Sequence, residues 1–190
     1  MKITKIECHV LLDPEYDPAA TSSAQDDLVV EVHTDEGIVG IGETDLNPWI
    51  ARECIEAPGT HTMDQGLGSM LIGENPLEME KLWWKAYQAT AMTGRRGALI
   101  NALGAIDMAL WDIAGKAADK PVWQLLGEKS REHLGAYASL QPEVGSFDAY
   151  ITSMVKWAHS AKEMGFRAAK LETTFSGPYA NMGIREDDEK

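Results

Sequence analysis

The hydrophobic period of this chain changes twice along its length, and that change restricts the folds open to it more than any other feature. Up to Thr44 apolar residues alternate with polar ones at period two, the mark of half-buried antiparallel strands. In MKITKIECHVLL, Ile6, Cys8, Val10 and Leu12 share a face, and in DDLVVEVHTD, Leu28, Val30, Val32 and Thr34 do. The run IVGIGET follows Asp35-Glu36-Gly37, a short glycine-containing hairpin connection. Residues 2–44 are therefore predicted to form a three-stranded meander. Between its first two strands lie the fifteen residues DPEYDPAATSSAQDD, polar and with two prolines; loops of that length inside compact domains are usually functional or mobile.

From about Asn47 the period is helical. Asn75-Pro76-Leu77-Glu78 reads as an N-cap, a proline at the first helical position and a glutamate at the third. It predicts a helix through Tyr87 with Leu82, Trp83, Ala86 and Tyr87 in one stripe. The strongest pattern runs from Arg96 to Ala118, where Leu99, Leu103, Ile106, Leu110, Ile113 and Ala117 recur at three and four, and Asp119-Lys120-Pro121 ends it. The last third changes again. HLGAYASL reads as a strand, Ser146 as the cap of a helix from Phe147 to Met164 with Gly165 just past its end, and FRAAKLETT as a second strand. Strand, helix, strand is a βαβ unit with parallel strands. Residues 1–120 thus form an antiparallel α+β region and residues 121–190 open a parallel α/β one. A (β/α)8 barrel takes about 250 residues for its eight strands, so the second region has room for about two of them.

Seventeen Lys and Arg against thirty Asp and Glu leave a net charge of −13, with the basic residues scattered. That excludes the clustered basic footprint of a nucleic-acid-binding protein. It also requires any anionic ligand to meet a local cation or metal. The two cysteines, Cys8 and Cys54, read as buried free thiols, which fits a reducing cytoplasm. The most apolar segment, Ala98 to Ala118, is interrupted by Asn101, Asp107, Asp112 and Lys116, costly groups in lipid, so a soluble protein with no membrane partner is expected.

Histidines at 9, 33, 61, 133 and 159 show neither an HExxH motif nor a paired Cys/His spacing, and no metal ligand is assigned among them. No Gly-x-Ser-x-Gly elbow is present, and Gly40-x-Gly42 lacks the third glycine of a dinucleotide fingerprint. Asp107 and Asp112, five apart on a helix, point about 140° from each other and read as structural, bonding backbone or a basic neighbour. Lys170 and Glu172 are two apart on a predicted strand and so point to the same side, near the C-terminal end where parallel α/β folds place their sites. A Lys and a Glu in an apolar strand must pair, bind something or be solvated. A salt bridge on an exposed face and a pair serving a site both meet that requirement.

The stretch NALGAIDMALWDIAGKAADKPVWQLLG, Asn101 to Gly127, resembles the helix that leads into the barrel in the mandelate racemase/muconate lactonizing enzyme group of the enolase superfamily. Gly40-Ile41-Gly42-Glu43 and GFRAAKLE, Gly165 to Glu172, match that group in the expected order, over nearly the whole chain but only the first half of a member. The resemblance implies an α+β capping domain (three-stranded antiparallel meander plus helices) followed by the start of a (β/α)8 barrel. It implies Mg2+ held by three acidic residues on later strands outside these residues, and abstraction of a proton α to a carboxylate with the metal stabilising the enediolate. Two loops that close over substrate in such enzymes correspond to Asp13–Asp27 and about Leu46–Ala51, which makes Tyr16, Asn47 and Trp49 the expected substrate contacts. The group's Lys-x-Lys motif falls on Lys170 and Glu172, the expected catalytic pair, with a carboxylate where the acid/base lysine commonly stands. That departure argues against a racemase with bases on both faces and favours one-sided dehydration of a sugar acid. A racemase, epimerase or cycloisomerase is the second reading within the superfamily, and a non-catalytic domain acting through assembly is the reading from another class. A small carboxylate substrate, a homo-oligomer, and no activity from residues 1–190 alone are the remaining expectations.

Overall fold

The computed structural model describes residues 1–14, 26–61, 64–94, 96–127, 131–140, 142 and 146–171. They fall into two compact units, one holding the described residues of 1–13 and 26–127 and the other residue 14 and the described residues from 131 onward. The first holds strands β1 (Ile3–Leu12), β2 (Asp26–Thr34) and β3 (Val39–Thr44), and helices α1 (Pro48–Glu56), α2 (Leu67–Leu71), α3 (Met79–Ala89), α4 (Ala98–Ala117) and α5 (Val122–Leu126). The second holds β4 (Ala138–Ser139), α6 (Phe147–Glu163) and β5 (Ala169–Lys170). Helix α5 lies beyond the boundary expected at residue 120, yet it packs on α4 in the first unit.

The three strands form an antiparallel sheet in the order β1-β2-β3. Leu28, Val30 and Val32 are fully buried and stand opposite Thr44, Gly42 and Gly40 of β3. The alternation of β1 is interrupted near its start: a register shift between Ile3 and Lys5 lets Ile3 and Ile6, three apart, both turn to the core. Leu12 keeps the face of Ile6, Cys8 and Val10 but is 56% exposed, because its partner Asp26 lies beyond Leu28, the outermost core residue of β2.

Helix α4 covers the inner face of the sheet with Ala102, Ala105, Ile106, Ala109 and Ile113, all buried. It lies so close to β3 that a Cβ on Gly42 would stand 1.9 Å from the Ala105 carbonyl oxygen, and one on Gly40 2.1 Å from that of Ala109. A polar clamp fixes the register of helix on strand. Asp112 Oδ2 accepts from the Ile41 amide (2.8 Å) and from Lys116 Nζ (2.7 Å), and Lys116 Nζ also donates to the Val39 carbonyl (2.7 Å). The edge amide of β3 is thereby satisfied by a side chain. Asp112→Ala is expected to lower stability by about 1 kcal/mol, the partly exposed ion pair being screened; the urea midpoint should fall with an unchanged slope.

Helix α3 begins later than its sequence predicts. Asn75 Oδ1 accepts from the Leu77 amide (3.2 Å) and the Asn75 carbonyl from the Glu78 amide (3.1 Å), so residues 75–78 close a turn and the helix starts at Met79. The short asparagine side chain bonds its own backbone two residues on, which competes with capping.

In the second unit β4 and β5 pair in parallel, Ala138 with Ala169 and Ser139 with Lys170, with α6 as the crossover. Ser146 Oγ caps α6 by accepting from the Ala149 amide (3.1 Å). At the other end Gly165 has φ +89, Phe166 N donates to Ala161 O (3.0 Å) and Gly165 N to Lys162 O (3.0 Å), the paired bonds of a Schellman stop. Both strands are two residues long, shorter than their sequences predict. Among the described residues each has a single partner, and parallel sheets are found mostly in wider, covered sheets.

Candidate functional site

The first turn of α1 presents a large aromatic to solvent. Asn47 caps the helix, its Oδ1 accepting from the Ile50 amide (3.2 Å), and Pro48 opens it. Trp49 is left 52% exposed on the wall of a cavity of about 800 Å³. The cavity lies between α1, the segment after it and the start of α4. That segment is closed on itself by Gly66 N donating to Ala57 O (3.0 Å) and Thr60 N to Asp64 O (3.0 Å). Glu53, Asp64 and Arg96 are its charged lining residues.

Arg96 precedes α4, whose first residue follows Gly97. A guanidinium and the positive end of a twenty-residue helix act in the same direction there, opposed by the carboxylates of Glu53 and Asp64 on the same cavity. Sequence reading did not single out Arg96. The available signal was Gly94-Arg95-Arg96-Gly97 directly before an apolar helix, a place where the dipole disfavours cations and a function can retain them.

Cys54 also lines the cavity. Burial pushes its thiol above the usual range, with Glu53 adding to the shift. Burial pushes the Cys8 thiol up to about 12, helped by Glu56. Both are free and half-buried, and both are protonated at neutral pH, so neither is a ready nucleophile.

Among the expected substrate contacts, Trp49 reaches the cavity, Asn47 spends its side-chain oxygen on the α1 cap, and Tyr16 lies outside the described residues. Lys170 is the exposed last residue of β5, and its carbonyl accepts from the Leu140 amide (3.1 Å). It therefore stands at the C-terminal end of a parallel strand. Glu172 lies outside the described residues. Lys170 belongs to the second unit and Trp49 to the first.

A three-stranded meander backed by an alanine-rich helix in backbone contact with its third strand, followed by a parallel βαβ unit, is the architecture of a capping domain continuing into an α/β segment. The family model for the N-terminal domain of mandelate racemase / muconate lactonizing enzyme matches residues 5–127, and the chain belongs to that family. It is 34% identical over 152 residues to the L-rhamnonate dehydratase of Saccharopolyspora erythraea, covering 80% of this chain and 32% of that one. It is 33% identical over 191 residues to the D-galactarolactone cycloisomerase of Agrobacterium fabrum, covering 98% of this chain and 46% of that one. Among solved structures, an enolase of the mandelate racemase subgroup from Agrobacterium tumefaciens matches with TM-score 0.64 and 32% identity, over 89% of this chain and 38% of the other. A member of the enolase superfamily from Salmonella Typhimurium matches with TM-score 0.68 and 29% identity, over 91% and 42%. The chain spans between about a third and a half of the length of the curated relatives it matches.

Proposed function

We propose that this chain supplies the capping domain and the first strands of the barrel of an acid-sugar dehydratase. The observation that carries the reading is Lys170, a solvent-facing cation on the final residue of a parallel strand, where α/β folds gather their sites. In this reading the Lys170 ammonium sits beside the substrate carboxylate and favours the negative charge that builds there as the α-proton leaves. Glu172, two residues further on, takes that proton. The electron pair of the C–H bond enters the carboxylate as an enediolate. Its return expels the β-hydroxyl, which takes the proton held on Glu172 and leaves as water, and the enol tautomerises to a 2-keto-3-deoxy acid.

The family also implies Mg2+, which asks for near-octahedral oxygen ligands. Among the described residues the one group of three metal-capable side chains is Glu7, Glu31 and His33, on β1 and β2. A set with a ring nitrogen and no third carboxylate does not fit Mg2+, and no step above depends on the ion.

The test is product analysis of the complete protein over a panel of acid sugars and their lactones. Dehydration gives a 2-keto-3-deoxy acid lighter than its substrate by one water. The second reading, cycloisomerisation, is favoured by the match to the D-galactarolactone enzyme along 98% of this chain, and it gives a product of unchanged mass. Absence of any 2-keto-3-deoxy product across the panel would sink the dehydratase reading. Trp49→Ala and Arg96→Ala are each expected to raise KM about tenfold, the equivalent of about 1.4 kcal/mol of ground-state binding, with kcat changed less.

A further inference from the structure

The outer face of the sheet carries a group of side chains that the proposed reaction does not use. The register of β1 on β2 places Glu7 directly opposite Glu31 and Lys5 opposite His33, and His9 lies two residues along from Glu7 on the same face. Two carboxylates directly opposed across an antiparallel pair repel each other unless a cation lies between them. Lys5 Nζ holds Glu7 Oε1 at 2.5 Å and leaves Oε2 free to face inward. His33 Nε2 stands 2.9 Å from Glu7 Oε2 and 3.3 Å from Glu31 Oε2, and His9 Nε2 stands 3.4 Å from that same Glu31 oxygen. The His33 nitrogen is shut off from solvent and has no hydrogen-bond partner among the described residues, although two carboxylate oxygens lie near it. The imidazole nitrogen and the two carboxylate oxygens converge there without a hydrogen bond to that nitrogen.

We propose that Glu7, Glu31 and His33 bind a divalent transition-metal ion, Zn2+ in the first instance, with water as the fourth ligand. A tetrahedral ion with ligands about 2.0–2.1 Å away holds its ligand atoms about 3.3 Å apart; His33 Nε2 stands 2.9 and 3.3 Å from the two carboxylate oxygens, and the three ligand atoms all lie within 4.8 Å of one another. The donor set of imidazole nitrogen and carboxylate oxygen suits zinc and its neighbours in the first transition row rather than Mg2+ or Ca2+. All three residues project from two strands in ladder register, so the ligands are held before the ion arrives. The ion neutralises the Glu7–Glu31 repulsion and ties β1 to β2. This placement depends on strand pairing and not on sequence spacing, which is why no metal motif is visible in the sequence.

The test uses the complete protein, stripped with chelator and held in saturating Mg2+. Zinc titration by calorimetry should show one equivalent that Mg2+ does not displace, and Co2+ should give the intense visible absorption of a tetrahedral site. Zinc should also raise the unfolding midpoint. His33→Ala and Glu31→Gln should each bind that equivalent about 10- to 100-fold more weakly and lose the midpoint shift. Both positions are on the solvent side of the sheet, so the metal-free variants should unfold near the parent temperature, and either one that folds suffices. Absence of a saturable equivalent, or one of equal affinity in both variants, would overturn the proposal without touching the dehydratase reading, which product analysis tests separately.

Discussion

Replacing Lys170 with methionine in the complete protein is expected to lower kcat by about a thousandfold or more while leaving the unfolding midpoint where it was. Methionine keeps an unbranched stem of similar length and removes only the ammonium. The side chain is exposed at the end of β5, and its backbone contributes to the β4–β5 ladder through a carbonyl that every residue has. A surface change of that kind moves stability by within about 0.5 kcal/mol. Loss of a positioned acid, base or charge at a reacting centre costs about 10²- to 10⁴-fold in rate. The two effects therefore separate cleanly. Lys170→Arg keeps the charge but moves it outward in a planar group, so it should recover part of the rate and shift its pH profile. Turnover within threefold of the parent in Lys170→Met would remove this residue from the site, and would leave a sheet-end lysine whose role is solvation.

The sequence made Lys170 visible because a strand imposes period two, and a cation in a run such as FRAAKLETT stands out against that period. The same logic found the meander, since Leu28, Val30 and Val32 alternate with polar residues and all three are in the core. It found Ser146 and Gly165 because helix ends have local chemistry, an oxygen for orphan amides and a residue that accepts a positive φ. Local chemistry failed where two local options compete. Asn75 could cap a helix or close a turn on Leu77, and nothing within four residues decides between them. The inward turn of Ile3 was hidden for a different reason, since a bulge is a property of a strand pair. The cavity was legible only at Trp49. Its charged lining residues, Glu53, Asp64 and Arg96, come from three segments that only the packing of α1 and α4 brings together.

Gly42→Val is expected to leave no folded protein, and Gly42→Ala to lose about 4 kcal/mol or more, a large share of the roughly 5–15 kcal/mol by which domains are stable. An added Cβ at Gly42 meets the Ala105 carbonyl oxygen at 1.9 Å, the Ala105 carbonyl carbon at 2.9 Å and the Ala109 amide nitrogen at 3.0 Å. All three are backbone atoms, so no rotamer change can relieve the clash. Helix α4 would have to withdraw by roughly 1 Å or more to restore ordinary contact, and dispersion falls steeply over that distance. The withdrawal would also stretch the bonds from Asp112 and Lys116 to β3, at 2.8 and 2.7 Å. Gly104→Ala is the control on the same helix: nothing lies within 4 Å of its added Cβ, and the better helix propensity of alanine should raise stability by up to about 1 kcal/mol. Equal midpoints for Gly42→Ala and Gly104→Ala in urea unfolding would refute the close approach. The contact matters beyond stability, because β3 leads through Thr44 and Asn47 to Trp49 while α4 begins just after Arg96. Backbone contact between β3 and α4 thus fixes the spacing of two walls of the cavity.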